Sequence, residues 1–270
     1  MHRSELIISQ DKCNTFAALA GTAVESAPAA GAALALGWHM LYLHETDPWL
    51  EPGVDGHPEA RPHGVPAQLD KRMWASSQVE LFAPIRVGEQ LTLLRQPPAV
   101  TLKQGASGAL AFVNEVTQVR RGDTTLLSET KTLVYRSATR PQRAGGAPAG
   151  PVQVPAAVLQ KTVNLNEVTL FRYSSVLGVA HRIHYDYPYA TAHEGYPGLL
   201  IHGPLIIQLL LDLYRPTAAG ERPVRYQARG IRPNFLGSAL TLNMGFHAEQ
   251  VVLWASDQDH QPTLLIHVSA

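Results

Sequence analysis

Several features that define other protein classes are scarce or missing in this sequence of 270 residues. Its one cysteine, Cys13, excludes an internal disulfide and is typical of a protein kept in a reducing, intracellular compartment. Basic and acidic residues number 22 each, so the formal net charge is zero. Nucleic acids and anionic membranes select basic surfaces, and the sequence therefore predicts neither as a partner.

Long apolar runs are missing as well, and we expect no export signal. The longest apolar stretch, 27–43, contains Pro28 and His39 and falls short of the ~20 apolar residues that cross a bilayer. Glu5 and Asp11 lie where a signal peptide would have its basic flank and apolar run. We therefore expect a cytoplasmic protein without a membrane partner that acts on a small molecule.

An internal repeat is the clearest organisational feature. Pro84–Leu93 (PIRVGEQLTL) and Pro233–Leu242 (PNFLGSALTL) share the proline, the glycine and the Leu-Thr-Leu triplet at an offset of 149 residues. Each copy predicts a turn closed by glycine and followed by a strand. An apolar, helix-like segment precedes each copy, at Ala32–Leu43 and Leu199–Tyr214. Solenoid units run to only ~20–50 residues, so a duplicated domain fits this offset better.

Strands and a linker complete the predicted organisation. Strands are predicted at 111–119, 125–135, 251–255 and 263–268. Residues 140–155 are rich in proline and glycine, a composition typical of linkers, so we predict domains at 1–139 and 156–270. The second helix has almost no polar face and must be buried on nearly all sides. The expected class is α+β, with a curled antiparallel sheet wrapped around a central helix, made twice.

Residues 171–202 form the densest polar group and contain four of the 12 histidines. These are His181, His184, His193 and His202. The spacing of His181 and His184 would suit a metal on a helix, but Gly178 and Pro188 favour a loop there. We therefore expect neither a metal nor a cofactor.

A single histidine next to a helix start offers another chemistry. Imidazole, with a pKa of ~6.5, exchanges protons near neutrality, and the amide of Gly203 in the first turn of the second helix could stabilise an oxyanion. Pro204 suits that first turn, because its missing N–H would be unpaired there. The residues alone leave open a purely structural histidine and an ordinary helix start. Asp186, followed by Tyr-Pro-Tyr, is predicted to be an N-cap rather than a catalytic acid.

Several motifs together resemble one enzyme family. FRYS at 171–174, HRIHYD at 181–186 and EGYPGLLIHGPL at 194–205 are similar to MaoC-like, double hot-dog acyl-thioester hydratases and dehydratases. DGHP at 55–58 and RMWA at 72–75 resemble the N-terminal domain of the branch with mesaconyl-CoA/itaconyl-CoA hydratases and mitochondrial-type 3-hydroxyacyl-thioester dehydratases. The resemblance implies a catalytic C-terminal hot-dog domain and an N-terminal one that shapes the acyl-CoA tunnel. We expect a homodimer without a cofactor.

The resemblance also implies roles for particular residues. His184 matches the histidine that activates water, and Gly203 matches the glycine whose amide binds the thioester oxygen. Val179 stands five positions before His184, where the wider family has Asp and this branch usually Asn. Valine can neither orient a water molecule nor accept its proton.

Three outcomes are open for the missing amide or acid. His181 or another polar group takes over its role, a shifted loop brings Ser174 or Ser175 into place, or the protein keeps only an acyl-CoA pocket. We rank catalysis with an altered partner first and name His181 as the third catalytic candidate.

The predicted function is hydration or dehydration of a short or branched acyl-CoA of the mesaconyl or itaconyl type. Substrate contacts are predicted for Arg172, Tyr173, Arg182, Tyr185, His202, Trp74 and Arg232. Arg172 or Arg182 could pair with a second carboxylate, since guanidinium binds carboxylates through two hydrogen bonds. A non-catalytic acyl-CoA-binding protein and a hot-dog thioesterase are the alternatives.

Overall fold

A computed structural model describes residues 1–21, 27–43, 51–105, 108–137, 152–214 and 224–269. Its strands are β1 (His2–Ile7), β2 (Lys71–Leu81), β3 (Gln90–Arg95), β4 (Ala99–Gly105), β5 (Gly108–Arg121), β6 (Thr124–Arg136), β7 (Ala157–Val163), β8 (Val224–Gly230), β9 (Leu240–His247), β10 (Gln250–Ser256) and β11 (Pro262–Ser269). Its α-helices are α1 (Gln10–Leu19), α2 (Glu167–Leu177) and α3 (Gly203–Leu213). The four strands predicted from sequence lie within β5, β6, β10 and β11, and are confirmed.

All these strands form one antiparallel sheet whose order is symmetric. Strands β1-β3-β5-β6-β2 continue into β8-β11-β10-β9-β7, and β4 pairs with β5 outside this path. Counted from its own end of the sheet, the second half has its strands in the same chain order as the first half. The corresponding pairs are β1 and β7, β2 and β8, β3 and β9, β5 and β10, and β6 and β11. The halves join at β2 and β8, where Ser77 pairs with Ala228.

The turn repeat seen in the sequence is also a repeat in structure. Gly88 and Gly237 have nearly the same left-handed φ, 94° and 93°. Two isolated bridges, Ala33 with Arg86 and Leu200 with Phe235, tie each turn to the segment before it. Arg86 and Phe235 are separated by the same offset as the two glycines, so each copy has the same local contacts.

The helix predicted over Ala32–Leu43 is wrong. The only helical structure there is one 3-10 turn at Trp38–Leu41. The backbone is extended at Ala33, which pairs with Arg86, and Gly37 takes a left-handed φ of 84°. Strand-like pairing and a left-handed residue both interrupt an α-helix, whatever the apolar composition of the segment.

The second helix prediction is confirmed as α3, with a later start. Leu200 pairs with Phe235, so the chain is extended until His202 caps the helix. Pro204 lies in the first turn as predicted. Because α3 begins at Gly203, this residue stands at the positive end of the helix dipole.

The core surrounds α3. Its side chains from Leu205 to Leu211 are all buried, and the helix contacts β9, β10 and β11. The 3-10 turn of the first half also contacts α3, since Trp38 Nε1 donates a hydrogen bond to Asp212 Oδ1 at 3.1 Å. Burying one large apolar side chain is worth ~1.5–3 kcal/mol, so this helix is a main source of stability.

Among the described residues no helix is long and apolar enough to span a membrane. Most of the predicted linker, 140–151, lies outside the described residues, and 152–155 lead into β7. The domain division at this linker stays a prediction.

Candidate active site

His184 is a buried, neutral imidazole with its tautomer fixed by the backbone. It ends a short 3-10 turn, Arg182–His184, and its Nδ1 lies 2.8 Å from the carbonyl oxygen of Leu200. A carbonyl only accepts, so Nδ1 carries the proton and Nε2 keeps its lone pair. Burial lowers the pKa of His184 to about 4, although the hydrogen bond to Leu200 opposes this shift. The ring is therefore a neutral base at pH 7.

Four imidazole rings form a row through this site. His184 stacks on His202 with centroids 3.7 Å apart, and its other neighbour, His181, lies edge-on at 5.4 Å. His57 from the first half follows, with its centroid 4.1 Å from that of His181. His57 belongs to the DGHP motif at 55–58 but was not predicted as a site residue.

His202 is held in place from the core side. Ser174 Oγ lies 2.8 Å from His202 Nε2, and the ring of Tyr173 meets the imidazole edge-on at 4.9 Å. The hydroxyl of Tyr173 donates to Gln208 Oε1 at 2.6 Å. Tyr173 is fully buried, so its contacts support His202 from within the core. Ser174 is bonded to His202 and Ser175 is exposed, so of the two serines only Ser174 contacts the histidines, and its role in place of Val179 stays a prediction.

The amide of Gly203 is an available donor at the start of α3. It makes no backbone hydrogen bond to any described residue, and the next residue, Pro204, has no N–H. A Cβ at Gly203 would lie 3.3 Å from Cε3 of Trp74, so glycine lets the indole approach the helix start. Trp74 thus lies next to the predicted oxyanion donor.

The position of Val179 is apolar in the structure as in the sequence. Its side chain packs against the hydrophobic core, and its amide donates to the carbonyl of Ser174 at 2.9 Å. Besides His202, His181 is the described ring in contact with His184, with centroids 5.4 Å apart. Burial lowers the pKa of His181 far below its usual value, and the neighbouring histidines and Arg72 add to this effect. His181 is therefore neutral as well.

A loop of the first half completes the site. The amide of Arg182 donates to the carbonyl of Asp55 at 2.9 Å, and a Cβ at Gly56 would lie 1.9 Å from the carbonyl oxygen of Ala180. Gly56 also has a left-handed φ of 87°. Only glycine fits this contact, which brings His57 next to His181.

Asp55, His57 and His181 place three potential metal ligands within 4.8 Å of one another. The guanidinium of Arg72 lies against the same ring, with Nη2 2.5 Å from Nδ1 of His57. A fixed positive charge this close disfavours a bound cation. The arrangement favours polar or anionic ligands instead.

Other predicted substrate residues lie outside the histidine row. Arg172 is exposed on α2, and Arg232 follows β8, where its amide donates to Thr263. Tyr185 is 41% exposed and donates its hydroxyl to the carbonyl of Ala180. The contacts described for these three side chains involve none of the four histidines, and their substrate roles stay predictions.

Arg182 has a local structural role. Its Nη2 lies 2.7 Å from Oδ2 of Asp186, and its guanidinium lies over the ring of Tyr189. Oδ1 of Asp186 accepts from the amide of Tyr189 at 3.0 Å, which confirms the predicted capping role. This pairing occupies the arginine that the sequence suggested for a substrate carboxylate.

Comparisons with known proteins agree with this geometry. The family model of hydroxyacyl-thioester dehydratase type 2 matches residues 37–235. Mesaconyl-C(4)-CoA hydratase of Chloroflexus aurantiacus is 34% identical over 213 residues, which cover 77% of this chain and 75% of that protein. The mitochondrial hydroxyacyl-thioester dehydratase type 2 of Schizosaccharomyces pombe is 32% identical over 77 residues, covering 28% and 26% of the two chains.

Solved structures show the fold. HtdX of Mycobacterium tuberculosis superposes with a TM-score of 0.70 at 20% identity over 100% of both chains. A MaoC-like dehydratase of Phytophthora capsici gives a TM-score of 0.67 at 15% identity, over 100% of this chain and 94% of that one. The fold is therefore that of the MaoC-like hot-dog dehydratases. With the family model matching most of the chain, the protein belongs to the hydroxyacyl-thioester dehydratase type 2 family and is an acyl-thioester hydratase/dehydratase.

Proposed function

We propose that the protein adds water to, or removes it from, the α,β double bond of a short or branched acyl-CoA of the mesaconyl or itaconyl type. One observation carries the proposal. The neutral ring of His184, with Nε2 unprotonated, is hydrogen-bonded to Leu200, three residues before the available amide of Gly203. The name of the Chloroflexus relative supports the substrate class.

In the hydration direction, the amide of Gly203 would donate to the thioester oxygen. Attack of water on the β carbon forms a C–O bond and pushes the electron pair of the double bond towards that oxygen, giving an enolate. The helix dipole and the amide stabilise this charge, and one such donor is typically worth about 10²–10³ in kcat. His184 Nε2 takes the proton of the water and returns a proton to the α carbon, which completes the addition.

His181 is proposed to hold the attacking water, because the apolar side chain of Val179 cannot. We expect His181→Ala to lower kcat, and Val179→Asn in the same background to restore part of it. Asparagine would supply the amide that this branch of the family usually has at that position. If His181→Ala leaves kcat unchanged, another group holds the water.

The architecture is proposed to be two hot-dog units, 1–139 and 156–270, connected by 140–155. Support comes from the mirrored strand order and from the contacts of α3 with β9, β10 and β11 in the second unit. Within the described residues of the first unit, a 3-10 turn lies at the place that corresponds to the start of α3. A homodimer stays a prediction that analytical ultracentrifugation can test. A cytoplasmic location also stays a prediction.

The test is an assay with crotonyl-, mesaconyl- and itaconyl-CoA that follows loss of the enoyl-thioester absorbance. We expect turnover of at least one substrate, and a loss of about 10²–10⁴ in His184→Ala, the usual range for a general acid–base group. No hydration of any of the three substrates contradicts the proposal, as does equal activity of the variant. A thiol reagent in a parallel assay detects thioester hydrolysis.

The apolar environment of Val179 favours one alternative, a protein that binds acyl-CoA without turnover. Calorimetric titration with the same thioesters separates the two functions. Tight binding with no change in absorbance would identify the binding protein.

A further inference from the structure

A small polar cavity lies beside the histidine row, where β2 begins and β6 ends. Its volume is about 20 Å³, enough for a water molecule or for one oxygen of a carboxylate. The charged and polar residues that line it are Asp55, Lys71, Arg72, Arg136, His181, Glu194 and Tyr196. We call it the arginine pocket. The pocket has no role in the mechanism proposed above.

Positive charge exceeds negative charge in this pocket. Lys71 is paired with Glu194, with Nζ 2.6 Å from Oε1. Arg72 contacts the ring of His57, and Arg136 donates to the carbonyl of Ser137 at 3.2 Å. Within the described part of the chain neither arginine forms an ion pair, although Arg72 also hydrogen-bonds to the side chain of Tyr135. Apart from the paired Glu194, the only carboxylate that lines the cavity is that of Asp55.

The strand register makes this arrangement unfavourable without an anion. Lys71 and Arg136 are direct cross-strand partners in the β2–β6 ladder. Like charges directly opposite each other on neighbouring strands destabilise a sheet. The pair of Lys71 with Glu194 relieves part of this repulsion, and an anion between the arginines would relieve the rest.

The position of the pocket indicates which anion it can meet. His181 lines the pocket, and its ring lies 5.4 Å from that of His184, where the reacting carbons would lie. The phosphates of CoA are separated from the thioester by the whole pantetheine arm and cannot reach this position together with the reacting carbons. A carboxylate on the acyl group itself can.

We propose that the arginine pocket binds a carboxylate of the acyl group, with Arg72 and Arg136 as the specificity-determining residues for dicarboxylic enoyl thioesters. The proposal rests on the proposed function and names the residues that recognise the acyl end. It replaces Arg172 and Arg182, since the first is exposed on α2 and the second is paired with Asp186. Guanidinium groups bind carboxylates more strongly and with more defined geometry than neutral donors do.

The kinetic test compares mesaconyl-CoA with crotonyl-CoA, which lacks the second carboxylate. We expect Arg72→Gln and Arg136→Gln to lower kcat/KM for mesaconyl-CoA by about 10- to 100-fold, the usual worth of a charged hydrogen bond, mainly through KM. For crotonyl-CoA the change in Arg136→Gln stays within about threefold, and the loss in Arg72→Gln, which also contacts His57, is smaller than the loss with mesaconyl-CoA. Arg72→Lys keeps the charge and should retain part of the preference.

Arg225→Gln is the matched control. Arg225 is an exposed arginine on β8, paired with Glu80 at 2.8 Å. Its removal should leave both substrates unaffected. If the pocket variants lower the rates with both substrates equally, the carboxylate assignment is overturned while the hydratase activity stands.

A binding test separates this proposal from the proposed function. Succinyl-CoA and butyryl-CoA have the same chain length, no double bond to hydrate, and differ in the terminal carboxylate. Calorimetry should show tighter binding of succinyl-CoA to the wild type, by about tenfold, and equal binding to Arg72→Gln. Equal binding to the wild type overturns the proposal, as does a stoichiometric divalent metal held by Asp55, His57 and His181. This test needs no turnover.

Discussion

The two halves of the sheet have the same strand order but different segments between their strands. In the first half, Leu36 lies three residues after the bridge at Ala33, and its side chain is buried just before the 3-10 turn. Three residues beyond the bridge at Leu200 stands Gly203, the first residue of α3. One half therefore has a helix start with an available amide, and the other fills the corresponding place with apolar contacts.

The first half is nevertheless part of the site. It provides His57 and Arg72 next to His181, and Trp74 next to Gly203. The sheet fixes where each loop can reach, while the loops decide what each half contributes chemically. The predicted duplication would thus let one copy keep the predicted reacting groups while the other shapes their surroundings.

Buried histidines show the same contrast. His39 lies in the core of the first half, 4% exposed, and its Nε2 has no hydrogen-bond partner among the described residues. Burial lowers its pKa, and the nearby Glu129 opposes the shift. His184 is buried to a similar degree, but its Nδ1 is bonded and its ring belongs to the histidine row.

The sharpest test of this contrast replaces His184 or His39 with glutamine and compares the two variants. His184→Gln should lower kcat with the preferred enoyl-CoA by about 10²–10⁴, because glutamine cannot accept a proton at neutral pH. His39→Gln should leave kcat within about threefold and lower only stability, by about 1–3 kcal/mol. Initial rates and urea unfolding on both variants check this. A loss of turnover in His39→Gln would place chemistry in the first half as well.

Gly56→Ala tests the contact between the halves. The added Cβ would lie 1.9 Å from the carbonyl oxygen of Ala180, in a left-handed backbone conformation. We expect the free energy of unfolding to fall by more than about 2 kcal/mol, and the histidine row to lose His57. Urea unfolding and kcat/KM measure the two effects. Unchanged stability would show that the loop docks in another way.

Acid should destabilise the protein through its buried histidines. The pKa of His184 is about 4 in the folded state, below the usual ~6.5 expected in the unfolded chain. The unfolded state therefore binds more protons between these values, so stability is complete above pH 6.5 and is lost as the pH falls towards 4. Across that range His184 accounts for roughly 3 kcal/mol.

Urea midpoints measured between pH 7.5 and 4 check this dependence. His184→Gln should show a smaller loss at low pH than the wild type, because glutamine does not titrate. The same acid dependence in both proteins would assign the effect to other groups.

The smallest expected effects come from the repeated turns. Gly88 and Gly237 share a left-handed φ, and a Cβ at either would meet nothing within 4 Å. Gly88→Ala and Gly237→Ala should each cost about 1 kcal/mol, from backbone strain alone. Clearly different losses would show that the two copies of the turn are not equivalent.

Local sequence was enough to predict α3, the repeated turn and the strands near them. These elements have short-range signals: a proline in a first helical turn, the same spacing of glycine and strand residues in both copies of the turn, and apolar alternation. His184 and Gly203 were chosen from the same stretch, and the structure places both beside His202. Their catalytic roles stay predictions.

Two failures have different physical causes. The predicted helix at Ala32–Leu43 failed because pairing with Arg86 overrides local propensity, and no residue within the segment reveals that distant partner. Helix α2, by contrast, had readable signals that the sequence analysis did not use. Asn166 caps it by accepting from the amide of Thr169, and Gly178 ends it in a left-handed conformation.

The roles of His57 and Arg72 were not readable from local patterns at all. His57 meets His181 only because the sheet joins β2 to β8 and the loop at Gly56 docks on Ala180. Contacts between residues so distant in sequence depend on topology, which local periodicity does not encode.

The amide at Gly203 has an evolutionary consequence. A main-chain N–H is present in every amino acid except proline, so almost no point mutation can delete this donor, whereas a single codon change removes the imidazole of His184. Lineages that drift away from hydration chemistry should therefore lose the histidine first and keep the helix start. Backbone amide-to-ester replacement by chemical ligation is the direct way to remove the donor alone.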